Sequence, residues 1–205
     1  MEIVRLTRQR LGDVHSTNQP FDLIGRLALR FENGKWLSKE VLEHTGIQKI
    51  YPDYDGAKPE EYLDNPDRAL FLAYEGDACI GQILLTQTWN GYAHIEDLSV
   101  AADWRGRGVG TALFEKAVQW GQECFLEGVS LECQDNNVLA ARFFLKMGME
   151  IGGVNTHLYR HLGRPFDEEI ALFWYLDFDR EALLARAVDA VNSRFGDAMA
   201  ALAKL

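Results

Sequence analysis

At 205 residues, with 47% hydrophobic and 25% charged side chains, the chain has the size and composition of one globular domain with an appendage, outside the range of disordered sequences. A formal charge of −10 opposes nucleic acid as a partner and favours cationic ones, and no run of about 18 apolar residues is present to span a bilayer. Met1-Glu2-Ile3-Val4-Arg5 leads into mixed sequence rather than a signal-peptide core, and the odd set Cys79, Cys124 and Cys133 lacks the close pairing of a zinc or redox site, so reduced thiols and a cytoplasmic location are expected.

In chain order, residues 3–6 read as a short first strand. Residues 27–31 and 36–41 flank Glu32-Asn33-Gly34-Lys35, whose turn chemistry predicts a hairpin. Residues 51–67 then hold Pro52, Pro59 and Pro66 with six carboxylates (Asp53, Asp55, Glu60, Glu61, Asp64, Asp67) against Lys58. That is the composition of a solvated surface connection, with the gathering of a polycationic amine as its functional alternative. Residues 70–74 and 79–85 are strands joined by the tight turn Glu75-Gly76-Asp77, and residues 93–100 are a third strand.

After a glycine-rich turn, Val109, Leu113, Ala117, Trp120 and Cys124 recur every three or four residues, which predicts a helix starting near Gly108. Residues 129–133 follow as a strand and residues 137–147 as a second helix stopping at Gly148. Residues 150–159 and 170–178 are predicted as two closing strands paired antiparallel. His157 and His161 stand at the end of the first of these, four apart, without the cysteine pair or carboxylate cluster that would complete a metal site, so no metal is expected. Beyond Asp179, Leu184, Val188, Val191, Phe195, Ala198 and Leu202 form the seam of an amphipathic helix. The chain is thus divided into a domain over residues 1–178 and a helical extension over residues 179–205, the latter packed on its own domain or, in a homodimer, on a second copy.

The turn Arg105-Gly106-Arg107-Gly108-Val109-Gly110 leaves the backbone bare between a strand and a helix, where free N–H groups and the helix dipole favour an anion and two guanidinium groups add charge. Thr111-Ala112 after the last glycine excludes a Walker loop, and glycines spaced two and two miss the dinucleotide fingerprint.

Arg105, Gly108 and Gly110 in the pattern Arg-x-x-Gly-x-Gly resemble the acetyl-CoA signature of the GNAT N-acetyltransferases. The preceding Ile95-Glu96-Asp97-Leu98-Ser99-Val100 and the later Asn137-x-x-Ala140-x-x-Phe143-Phe144-x-Lys146-x-Gly148 fall where that family places its other cofactor segments. Within it the chain is similar to the streptothricin acetyltransferases, through Ile95-Glu96-Asp97, Leu131-Glu132-Cys133-Gln134-Asp135-Asn136-Asn137, Ile151-Gly152-Gly153 and Ala171-Leu172-Phe173-Trp174-Tyr175-Leu176.

The resemblance implies an α+β fold: a mixed, mostly antiparallel central sheet with a splayed cofactor strand, flanked by helices. It implies acetyl-CoA as co-substrate, held by Leu98, Ser99, Val100, Arg105, Gly106, Arg107, Gly108, Val109, Gly110, Thr111, Asn137, Ala140 and Phe143. It implies a cationic small-molecule amine as acceptor, a polyamine or a protein amine being substitutes. Leu98 N–H is the implied oxyanion donor and Glu96 or Asp97 the base. Residues alternate between faces of a strand, so both carboxylates face the acceptor only if the strand is distorted between them, and Glu96 shares parity with Leu98. Many relatives carry a proton-donating tyrosine at the position of Phe144, which has no proton to give. Solvent, Tyr159 or Tyr175 would replace it, or the thiolate would leave unassisted, or the chain would be a catalytically weak acetyl-CoA-binding module.

Overall fold

The computed structural model describes residues 1–51, 58–164, 166–182, 184, 185, 188, 189 and 192. Eleven regular elements organise them: strands β1 (Glu2–Arg5), β2 (Phe21–Glu32), β3 (Lys35–Lys49), β4 (Arg68–Glu75), β5 (Ala78–Gln87) and β6 (Tyr92–Val100), helix α1 (Val109–Glu123), β7 (Gly128–Gln134), helix α2 (Val138–Lys146), β8 (Glu150–Asn155) and β9 (Ala171–Asp177). Seven strands form one sheet in the order β1-β4-β5-β6-β7-β9-β8, and β2 with β3 forms a separate ribbon. Only the β6–β7 pair in the large sheet is parallel, as it must be where α1 provides the crossover. The mixed, mostly antiparallel architecture expected from the resemblance is the one observed.

The periodicity in residues 109–124 works as read: Val109, Leu113, Ala117 and Trp120 are buried against Ile83, Leu85, Ala93, Ile95, Val129 and Leu131 on one face of the sheet. The opposite face carries a smaller cluster of Leu6, Leu70, Leu72, Tyr74 and Leu84, closed over by Tyr62. This corrects the reading of residues 51–67 as a solvated connection for the described part of that segment. Pro59 at the first turn and the Glu61 carboxylate on the Lys58 N–H (3.1 Å) wind Pro59–Tyr62 into a short 3-10 helix, which puts Tyr62 into the core at 1% exposure. Asp53 and Asp55 lie outside the described residues.

The ribbon is longer than predicted. Its middle, where Leu27 pairs with Glu40, is anchored, with Arg142 of α2 making a bidentate pair to Glu40 (2.8 and 2.6 Å) and Leu27 N–H bonded to the Asp135 carbonyl (2.9 Å). The strand expected over residues 150–159 stops at Asn155, whose side chain accepts from His157 N–H (2.9 Å) in a local turn. His157 and His161 therefore stand exposed in irregular structure, and no metal-holding group of three or more ligand-type side chains occurs among the described residues. Of the seam in the C-terminal extension, Leu184 and Val188 are exposed, and Val191, Phe195, Ala198 and Leu202 lie outside the described residues. No helix among the described residues is long and apolar enough to cross a membrane.

Candidate active site

Parallel pairing between β6 and β7 runs from Tyr92–Gly128 to Ile95–Leu131 and stops there. Beyond it the strands part, and the fork exposes one backbone edge of residues 96–100. On its other side β6 remains paired to β5 as far as Val100–Gly81. Ala101 N–H bonds to the Ile80 carbonyl (3.0 Å), so by alternation the N–H groups of Leu98 and Val100 point away from β5, toward the fork.

The register of β6 breaks at the fork. Leu85 pairs with Ile95 and Leu84 with Asp97, leaving Glu96 as the extra residue of a bulge. The distortion that alternation demanded is present. Ile95 and Leu98 pack with the α1-side core, whereas Asp97 shares the opposite face with Leu84 and Gln82, and Glu96 is met on that face by Tyr62 and Arg68. The expected parity of Glu96 with Leu98 is thus corrected: the bulge puts both carboxylates on the face away from α1.

Their surroundings differ. The Tyr62 hydroxyl donates a hydrogen bond to Glu96 Oε2, and the Arg68 guanidinium stands 4.0 Å from the same oxygen. Asp97 is enclosed instead by an amide and a hydroxyl, from the fully buried Gln82 and from Ser99 (3.4 Å). Burial pushes the Asp97 carboxyl above the ordinary range, and Gln82, His15, Ser99 and the Leu98 N–H pull it partly back. The N-terminal segment seals this side: His15, held at φ 67°, donates its N–H to Gln82 Oε1 (2.7 Å), and Thr17 and Ser99 share a hydroxyl bond (2.8 Å). The Ser99 side chain is therefore occupied, which leaves its backbone as the part available to a cofactor.

At the glycine turn, Gly106 and Gly108 have φ of +74° and +88°, and a Cβ at either would meet nothing within 4 Å. Left-handed backbone with open space outside it is what a close-approaching phosphate needs, and α1 starts at Gly108 without a side-chain cap on its first N–H groups. Gly110 lies against Phe143 and Val100, which joins the turn to α2 and to the end of β6. The residues present fit acetyl-CoA: a fork with unpaired backbone for the pantetheine arm and a bare helix start for the pyrophosphate. One expected contribution is corrected. Arg105, itself exposed, donates to the carbonyls of Val100 (3.0 Å), Pro20 (2.7 Å) and Gln19 (2.9 Å), so its guanidinium braces the turn instead of facing an anion. Arg107 lies exposed over the Trp104 ring at 5.2 Å.

From β7, Glu132 accepts a hydrogen bond from the Tyr159 hydroxyl, and Gln134 Nε2 donates to the Tyr159 oxygen (2.9 Å). Burial raises Glu132, and burial with the neighbouring carboxylate drives the Tyr159 phenol far above its usual range. Asn137 caps α2 by accepting from Ala140 N–H (3.1 Å) and donates to the Tyr51 hydroxyl (3.0 Å). Phe144 is buried, its ring 5.8 Å from Phe143 and 5.6 Å from Trp174. Tyr175 packs edge-on against Tyr92.

Two features escaped the sequence reading. Tyr62 gave no signal, sitting among prolines and carboxylates. The buried pair in which Lys49 Nζ binds both oxygens of Glu169 (2.7 and 2.8 Å) joins residues 120 apart, and no local pattern announces such a contact.

Comparison with known proteins agrees with this geometry. A family model described as the acetyltransferase (GNAT) family matches residues 35–149. Streptothricin acetyltransferase A of Bacillus subtilis (strain 168) is 41% identical over 176 residues, which cover 86% of this chain and 99% of that protein. A crystal structure of a protein proposed as a streptothricin acetyltransferase, from Bacillus anthracis strain Ames in complex with acetyl coenzyme A, superposes with a TM-score of 0.75 at 31% identity, covering 86% of this chain and 99% of that one. Nourseothricin acetyltransferase superposes with a TM-score of 0.71 over 86% and 97% of the two chains, and at 24% identity the likeness is one of fold.

Proposed function

The chain belongs to the acetyltransferase (GNAT) family and is an acetyl-CoA-dependent N-acetyltransferase, and on that footing we propose that its acceptor is a primary amine of a cationic small molecule of the streptothricin type, acetylated in the cytoplasm as a resistance reaction. The observation that carries the reading is the bulge at Glu96, which sets a carboxylate beside the fork on the face away from α1. Similarity to a streptothricin acetyltransferase along 86% of the chain supports the choice of amine.

Acetyl-CoA supplies an activated acyl group as its thioester. In the proposed assignment the backbone amides of Gly108, Val109, Gly110 and Thr111 take the pyrophosphate, with Gly106 opening the turn and Arg107 adding charge. Arg105 holds that turn in place. The backbone edges of Leu98, Ser99 and Val100 take the pantetheine arm, beside Asn137, Ala140 and Phe143 of α2. Glu96 removes a proton from the acceptor ammonium, and the freed lone pair bonds to the thioester carbonyl carbon. Leu98 N–H receives the developing oxyanion. The carbon–sulfur bond then breaks; of the two protons the ammonium gives up, one ends on sulfur and the other in solvent. Phe144 has none to give and Tyr159 holds its own tightly, so the thiolate takes its proton from water, which its modest basicity permits. Asp97 keeps the β6 backbone in register through Gln82 and Ser99.

Thiol release from acetyl-CoA with streptothricin, with mass analysis of the product, tests the acceptor. Turnover with streptothricin and a loss of about 10²–10⁴-fold in kcat/KM for Glu96→Gln are expected. Turnover confined to polyamines or protein amines would replace the acceptor, and tight acetyl-CoA binding without turnover on any amine would favour the weakly catalytic module.

A further inference from the structure

We propose that Tyr62 is a positioning residue for the base Glu96, and that the described segment at residues 58–62 is built to deliver it. The proposal rests on the assignment of Glu96 as base. Tyr62 is among the most deeply buried large side chains of the protein, seated with Leu70, Leu72 and Leu84 on the face away from α1. Its ring is locked by that packing and by the Arg68 guanidinium 5.5 Å above it. The hydroxyl therefore has one place to be, and it donates to Glu96.

The geometry at Glu96 needs such a partner. Glu96 sits at a bulge, outside the one-to-one register with β5, at the point where its strand leaves β7. Tyr62 and Arg68 both address Oε2, one as a hydrogen-bond donor and the other as a charge at 4.0 Å. Two groups on one oxygen set the rotation of the carboxylate, so that it is aimed before the ammonium arrives. Arg68 comes from β4 and Tyr62 from the segment before it, so both depend on the folded sheet for their place. The acidic stretch between the ribbon and β4 thus contributes to the reaction through the buried Tyr62.

Tyr62→Phe keeps the ring in the core and removes only the donor. For this variant kcat/KM toward the acceptor is expected to fall about tenfold or more, the loss lying in kcat rather than in the KM for the acceptor, because the carboxylate has lost the donor that orients it. The KM for acetyl-CoA and the cooperativity of unfolding should stay as in the parent. In a Glu96→Gln background the same change should cost nothing further, since there is no base left to position. The outcomes separate the two readings. If Glu96→Gln retains parental activity, the base assignment fails and takes this proposal with it. If Glu96→Gln is crippled but Tyr62→Phe keeps the parental kcat, or if the two losses simply add, the base stands and Tyr62 is only packing.

Discussion

On the β6 limb of the fork Glu96 accepts a hydrogen bond from Tyr62 and has a guanidinium near the same oxygen; on the β7 limb Glu132 accepts one from Tyr159, with Gln134 on the same phenol. Each limb carries a glutamate held by a tyrosine, and Ile95–Leu131, the last paired residues, immediately precede the two carboxylates. The difference lies in what surrounds the pair. Around Glu132 burial is the largest influence and raises the carboxyl; Lys49 lowers it, but Lys49 is already bound to both oxygens of Glu169, whose charge pushes Glu132 up again. Like chemistry at matched positions is thus split by third parties: a cation directed at the carboxylate on one limb, a cation committed elsewhere on the other. A Glu–Tyr contact alone does not mark a base.

The strongest way to break the contrast is to remove the cation of the β7 limb. Lys49→Met leaves Glu169 buried at 5% exposure without its ammonium and should cost about 3–5 kcal/mol in urea unfolding. Adding Glu169→Leu should restore much of that, because an apolar pair needs no desolvation. A variant as stable as the parent would show that the pair contributes no net stability.

A sharper test compares the limbs directly. Glu132→Gln should lower kcat/KM by less than about tenfold, under 1.4 kcal/mol of transition-state stabilisation, against the far larger loss expected for Glu96→Gln. Equal losses would make the two limbs functionally alike.

The smallest effect concerns stability against pH. Asp97 and Glu132 both have carboxyls raised by burial, so their stabilising contribution is complete below the ordinary carboxylate values and is lost as pH rises through the raised ones. Asp97→Asn and Glu132→Gln, which still accept from Gln82 and Tyr159, should each melt slightly above the parent at neutral pH, by a few degrees at most. The gap should close as pH falls below the ordinary values. A gap that widens on acidification would reverse the sign assigned to burial.

The parts of the fold legible in advance were those decided within a few residues. The Glu75-Gly76-Asp77 turn, the α1 face of Val109, Leu113, Ala117 and Trp120, and the Asn137 cap with its stop at Gly148 each follow from local turn chemistry or helical period. Strand 150–159 failed for the same reason in reverse, since Asn155 turns the chain by a bond within its own neighbourhood that a strand pattern overlooks.

Sequence by itself determined that a bare glycine turn follows a strand and opens a helix, that two carboxylates stand together at Glu96 and Asp97, and that the order of segments is that of an acetyl-CoA enzyme. Tertiary structure alone decided what these do. The bulge that brings both carboxylates to one face is a register between β5 and β6; the bracing of the turn by Arg105 depends on the carbonyls of Gln19 and Pro20, and the hold on Glu96 depends on Tyr62, 34 residues away. Local signals encode dihedral preferences and periodicity, whereas register, burial and hydrogen-bond partners are set by surfaces that exist only once distant segments have packed.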